Sequence, residues 1–174
     1  MVSNKLPSRE QAIGILRKNN CPPNVIKHCE AVARLAIDIA RKLEKKGQQI
    51  DLNLVEVGAL LHDIGRSKSH GVNHGLIGAK IAESEGLPDS VVRIIKRHVG
   101  GGIPDQEADR FGWPKDVYVP LTLEEKIVSY ADKRIDKSKR VSINLEIKRL
   151  KIEHKDAAES VRKLHQEITS LLGD

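Results

Sequence analysis

Four positions in this sequence, two histidines and two aspartates, carry side chains able to ligate a metal or exchange a proton where a helical chain would bury them. His62 and Asp63 follow directly on Ala59, Leu60 and Leu61 and precede Ile64, so an ionisable pair sits inside an apolar run. A carboxylate there is costly unless a positive partner meets it. A divalent ion is one such partner. A buried His–Asp hydrogen bond or an arginine ion pair is another, and the dipeptide alone does not separate them. Neighbouring side chains stand about 100° apart around a helix axis, so both reach one ion only if it sits off the helix end. His28 lies three residues after Val25 and four before Val32, and Asp132 four after Val128 and three before Ile135. Each therefore leans onto the buried stripe of its own helix. Two histidines and two carboxylates from three helices suit an octahedral divalent ion with water in the open positions. An apolar face does not by itself mark a ligand, since His154 and His165 adjoin such stripes too and read as structural.

The elements that must position these groups read almost entirely as helix. Ser8 with Gln11 forms a capping-box start for a short first helix. After Pro22 and Pro23, apolar residues at Val25, Cys29, Val32, Ala36, Ile39 and Leu43 alternate steps of four and three until Gly47, the pattern of an amphipathic helix. Asp51 can cap the next helix, which is apolar nearly all round and so belongs in the centre. Further helices are expected from about Asn73 to Glu85, Pro88 to His98, Thr122 to Ile135, Ser142 to Glu153 and Asp156 to Leu172. Thr122 with Glu125 reads as a second capping box. Between Gly100 and Leu121 the chain holds three of its four aromatic residues and no clear period beyond one short turn near Gln106 to Arg110. The fold class is all-α: one domain of about seven helices spanning residues 1–174, with a core over about 22–136 and C-terminal helices over 142–172.

Composition sets outer bounds. With 174 residues, 39% hydrophobic and 31% charged, the chain is long enough to bury a core and too apolar for a disordered tail. It has no run of roughly 18 apolar residues and an N-terminus without a signal segment, which points to a cytoplasmic protein with no membrane partner. Cys21 and Cys29 are too few for a disulfide scaffold and read as reduced and structural. The formal charge is +6, and the stretch Lys133 to Arg140 concentrates a basic field that attracts phosphate-bearing molecules, unless it is simply a solvated helix face. Four aromatics are thin for an RNA-stacking platform.

The order His28, then His62-Asp63-Ile64-Gly65, then Asp132 within Ser129-Tyr130-Ala131-Asp132-Lys133 resembles the HD-domain metal-dependent phosphohydrolase superfamily, and more narrowly its HDIG-type members, over roughly Pro22 to Asp136. That resemblance implies an all-helical domain in which these four side chains hold one metal, and hydrolysis of phosphomonoesters or phosphodiesters, very often of nucleotides. His74 and His98 resemble the pair that binds a second metal in dinuclear members, with Asp63 bridging. The alternative is a single ion, with His74 and His98 contacting substrate or water. The ion can be Mn, Fe, Co, Ni, Mg or Zn, all of which accept a histidine and carboxylate shell, and it lowers the pKa of water toward about 7 in favourable sites, giving a nucleophile at neutral pH. The segment after His98, Val99-Gly100-Gly101-Gly102, departs from the Gly-Tyr-Pro branch that cleaves cyclic-di-GMP, which disfavours that activity.

Around these ligands, Asp63 and Arg66 are the expected catalytic residues. Arg66, three residues beyond Asp63, is placed to neutralise phosphoryl charge, or is an ordinary surface arginine. His70 is expected at the pocket rim. Lys133 is a candidate substrate contact although helical geometry points it away from Asp132. Trp113 is a candidate for stacking on a base, against the commoner job of anchoring its loop. The expected activity is hydrolysis of a phosphorylated small molecule, a nucleotide or an RNA-derived phosphate, with RNA as a further partner and the oligomeric state left open. Two readings stand beside it: a non-catalytic, metal-stabilised module binding RNA or protein, and an oxygenase with a dinuclear iron site, which no residue here singles out.

Overall fold

The computed structural model describes residues 5–153 and 155–173. His154, read above as structural, lies outside them. Nine α-helices appear among the described residues: α1 (Arg9–Lys18), α2 (Pro23–Lys45), α3 (Leu52–Leu61), α4 (His74–Ser84), α5 (Asp89–Arg97), α6 (Asp105–Arg110), α7 (Leu123–Asp132), α8 (Ile143–Glu153) and α9 (Lys155–Leu172). Two short 3-10 turns, Ile64–Ser67 and Val99–Gly101, follow α3 and α5, and a two-stranded hairpin, β1 (Ile135–Asp136) with β2 (Lys139–Arg140), follows α7. The all-α class holds. Every helix placed from the sequence is present, and the short turn expected near Gln106 to Arg110 is the additional helix α6.

Helix α2 is the spine. Its expected stripe, from Val25 through Cys29, Val32, Ala36 and Ile39 to Leu43, is buried along its whole length. At roughly 1.5–3 kcal/mol for each large aliphatic side chain removed from water, that stripe holds α2 against α3 and α7. Helix α3 is capped by the Asp51 carboxylate, which accepts from Leu54 N at 3.0 Å, and buries Val55, Val57, Ala59, Leu60 and Leu61. It is the central helix that its composition requires. Helices α4 and α5 pair with each other, as do α8 and α9, and α9 also packs on the 3-10 turn after α5. No helix among the described residues is long and apolar enough to cross a membrane.

Two local expectations are corrected. Ser8 and Gln11 form the full reciprocal box, but at α7 only half of one exists: Thr122 accepts from Glu125 N, while the Glu125 side chain turns inward to Arg97. Helix α7 also ends at Asp132, not near Ile135, and Ile135 opens β1 instead. The region Gly100 to Leu121 is an ordered flap. Three consecutive glycines at positive φ, Gly100 to Gly102, turn the chain sharply after α5; Ile103 then pairs with Tyr118, and Val99, Ile103, Ala108 and Tyr118 form a small satellite core.

Candidate metal centre

The apolar run of α3 ends at Leu61, with His62 as its C-cap and Asp63 turning at φ −100°, ψ 16° into the first 3-10 turn. This break turns the side chains of two adjacent residues toward one point, the condition that an ion off the helix end imposes. His28 reaches that point from α2 and Asp132 from the last residue of α7. His28 Nε2 lies 3.0 Å and His62 Nε2 3.3 Å from Asp132 Oδ1, and Asp63 Oδ2 lies 3.9 and 3.7 Å from the same two nitrogens. On the other side of the carboxylate, Asp63 Oδ1 is 3.2 Å from His74 Nε2 and 3.4 Å from His98 Nε2, and those nitrogens are 3.1 Å apart. All six expected ligands therefore converge, in two groups that share Asp63. Donors that sit about 2.0–2.2 Å from one ion are separated by about 3 Å, so both groups have suitable spacing.

The rings are oriented by the backbone. Nδ1 of His28 faces Lys137 O at 2.8 Å, that of His62 faces Ala59 O at 2.7 Å, that of His74 faces Gly71 O at 2.8 Å, and that of His98 faces Ile95 O at 2.7 Å. A carbonyl only accepts, so each ring donates from Nδ1 and turns Nε2 toward the centre. Two such Nε2 lone pairs, on His74 and His98, cannot satisfy each other. His62 Nε2 and Asp63 Oδ1 are buried with no hydrogen-bond partner, a condition that costs about 1–3 kcal/mol per group when nothing meets it. A divalent cation in each group would answer these atoms, and the nitrogen and oxygen donor sets suit such ions.

The titration behaviour follows from the same crowding. Burial works to raise the pKa of Asp63, but His62 first, and then the close approach of His74 and His98, outweigh it and hold the carboxyl well below the usual range. For Asp132, burial is likewise overcome by Lys133, His28 and His62. Burial alone would lower the His62 pKa, yet Asp63 above all raises it well above the ordinary value. His98, deeper and among other imidazoles, is driven by burial down to about 4.

The centre forms the floor of a cleft of about 520 Å³, with His28, Asp63 and Asp132 exposed to it and His74 and His98 packed beneath. Arg66 lines the cleft, donating from Nε to Asp63 Oδ2 at 2.8 Å and from Nη1 to His70 O at 3.4 Å, and His70 sits on the rim. Lys133 is a correction: its amine lies 3.1 Å from Asp132 Oδ2 and lines the cleft. The helical-wheel argument fails because Lys133 is the C-cap, where its long stem curls back over the helix end. Trp113 is not brought to the cleft. It lies half-buried against the satellite core, its ring 5.0 Å from that of Tyr118 and 5.3 Å from that of Phe111.

Three supporting features escape motif reading. Lys137 orients His28 through its carbonyl from a left-handed backbone conformation, φ 56°. Gly65 lets the 3-10 turn pack onto α4, since a Cβ there would stand 1.9 Å from His74 O. Ser129 Oγ donates to His98 O at 3.0 Å, fixing the end of α5. Gly65 and Ser129 stand in the two quoted motif runs, but those runs do not disclose what either residue supports.

Comparison with known proteins matches the family model described as HD domain to residues 25–135. An uncharacterized protein of Methanocaldococcus jannaschii is 43% identical over 94% of this chain and 98% of its own length. A protein of Thermoplasma volcanium named tRNA (cytidine(56)-2'-O)-methyltransferase is 38% identical over 97% of this chain; the chain spans only 48% of it. A Ribonuclease Y of Acidothermus cellulolyticus is 41% identical over 53% of this chain and 18% of its own length. Among solved structures, the HD domain of the Listeria monocytogenes phosphodiesterase PgpH in complex with cyclic-di-AMP aligns over 94% of this chain and 96% of its own, with a TM-score of 0.58 at 17% identity, a likeness of fold.

Proposed function

Since this chain belongs to the HD-domain family, we propose that it is a metal-dependent phosphohydrolase that cleaves a phosphomonoester or phosphodiester bond of a nucleotide or an RNA-derived phosphate. The observation that carries this reading is the set of four imidazoles, each tied at Nδ1 to a main-chain carbonyl, presenting Nε2 beside the buried Asp63 and half-buried Asp132 carboxylates on the floor of a basic-rimmed cleft. His28, His62, Asp63 and Asp132 would hold one divalent ion, and Asp63, His74 and His98 a second. Such an ion, when bound, lowers the pKa of water and offsets phosphoryl charge.

The chain's own residues supply the rest. Arg66 spends Nε on Asp63 and one Nη on the His70 carbonyl, which fixes the plane of the guanidinium and leaves its other edge to meet phosphoryl oxygens bidentately. Lys133, anchored on Asp132, brings a second fixed positive charge to the same side. A cleft of about 520 Å³ lies within the usual range for small-ligand sites and so admits a nucleotide. An RNA-derived substrate is favoured by the names of two relatives, a tRNA methyltransferase and a ribonuclease.

The test is turnover of a panel of phosphomonoesters and phosphodiesters with Mn, Co, Ni, Fe or Mg added, comparing the wild type with Asp63→Ala. Loss of transition-state charge stabilisation worth several kcal/mol corresponds to about a thousandfold or more in rate. Equal turnover by both proteins contradicts the proposal. Polynucleotide binding that survives Asp63→Ala, with no turnover by either protein, would mark a metal-stabilised binding module instead.

A further inference from the structure

The metal cleft has a neighbour. Across the β1–β2 hairpin lies a second hollow of about 380 Å³ whose lining includes Arg34, Arg41, Arg9 and Arg140. Ile135, the first residue of β1, lines both hollows, so the hairpin is the ridge between them. Its residues divide accordingly: Lys137 faces the cleft, Ser138 and Arg140 face the second hollow, and Lys139 is exposed on the ridge.

The charges in the second hollow are distributed unevenly. Arg9 is committed to Glu56 at 2.8 Å and Glu30 at 3.7 Å, and Arg140 to Asp38 at 2.8 Å. Arg34 and Arg41 are exposed and, among the described residues, have no carboxylate partner. They are seven residues apart on α2, about two turns and roughly 10 Å along the axis. Two free guanidinium groups at that spacing, joined by a basic ridge to a phosphoester cleft, match a polyanion with regularly repeated charges better than a compact ligand with one.

We propose that an RNA strand crosses the β1–β2 hairpin, with the phosphate to be hydrolysed in the cleft and neighbouring phosphates of the same strand on Arg34 and Arg41. This rests on the reading of the cleft as a phosphoester site and adds to it a substrate of several nucleotides. The short hairpin then has two tasks, since the Lys137 carbonyl that orients His28 belongs to the same ridge that the strand crosses.

Fluorescence anisotropy of a labelled twelve-residue oligouridylate with a phosphorothioate backbone that resists turnover, measured on the full, Mn-loaded chain, tests this directly. The variant Arg34→Glu/Arg41→Glu is expected to bind about tenfold or more weakly at moderate salt and to lower the slope of log affinity against log salt by about 1.4, the loss of two phosphate contacts on a single strand. The variant Lys80→Glu/Lys115→Glu makes the same charge change at exposed positions outside both hollows and is expected to retain most of the affinity. Melting curves confirm that each variant is folded. Unchanged binding by the arginine variant, or equal loss in both variants, overturns the strand path. Wild-type turnover of bis(p-nitrophenyl) phosphate with Mn, read separately, reports on the hydrolase reading, so failure of one does not imitate failure of the other.

Discussion

Two buried carboxylates in this molecule face opposite demands. Glu125, at the start of α7, meets Arg97 Nη1 through both oxygens at 3.0 Å and accepts from Leu121 N at 2.7 Å, while Arg97 Nε donates to Val117 O at 3.2 Å. This pair is saturated by the protein itself and clamps the end of the aromatic flap to α5 and α7. Asp63 is equally buried, yet its Oδ1 has no hydrogen-bond partner and the imidazoles around it present lone pairs. A buried charge whose partners are all internal is architecture. One whose neighbours leave valences open is a site, because the missing partner must come from outside the chain.

The largest effect that sharpens this contrast is on the saturated side. Arg97→Ala leaves buried Glu125 with only the more distant Arg93, 3.8 Å away, and is expected to cost about 3 kcal/mol of stability, seen as a lower melting temperature, with metal content per folded chain unchanged. Loss of metal in step with stability would mean that the two regions are one unit. On the open side, Arg66→Ala removes a charge-assisted donor and is expected to lower kcat by about tenfold to a hundredfold, with metal content retained. An equal loss of bound metal would make Arg66 a support for Asp63 alone.

A finer test separates side chain from backbone at Lys137. Lys137→Pro forces φ negative, withdraws the carbonyl from His28 and is expected to weaken metal affinity about tenfold to a hundredfold. Lys137→Gly accepts the left-handed conformation and should leave metal affinity near that of the wild type. Isothermal titration of metal-free protein with Mn distinguishes the two, and equal affinities would contradict the assigned role of the carbonyl. Smallest of all, Trp113→Ala is expected to lower stability by about 1–2 kcal/mol, for a half-buried ring, without raising KM; a raised KM would place the ring on substrate.

How much of this the sequence discloses depends on the range of the interactions involved. The stripe of α2 and the Asp51 cap are set by periodicity and local chemistry, and they read directly; that His28, His62, Asp63 and Asp132 belong together rests on their types and buried-stripe positions joined to the resemblance to HD domains. The β1–β2 hairpin does not, because strands of two residues have no alternation to detect, and with it went the Lys137 carbonyl. The inward turn of Glu125 was masked by a local capping pattern that a buried arginine, 28 residues earlier in the chain, outcompetes. At Lys133 the helical wheel misleads, because wheel geometry ceases to apply at a C-cap.

The central claim is that the open valences at Asp63 are filled by a divalent cation. Elemental analysis of the purified, Mn-reconstituted and dialysed protein tests it most directly, alongside Asp63→Ala shown by circular dichroism to be folded. The account predicts at least one ion per wild-type chain, and two if the His74–His98 group is filled, with the variant nearly empty. A wild type that retains no ion, or a variant that retains as much, would contradict it.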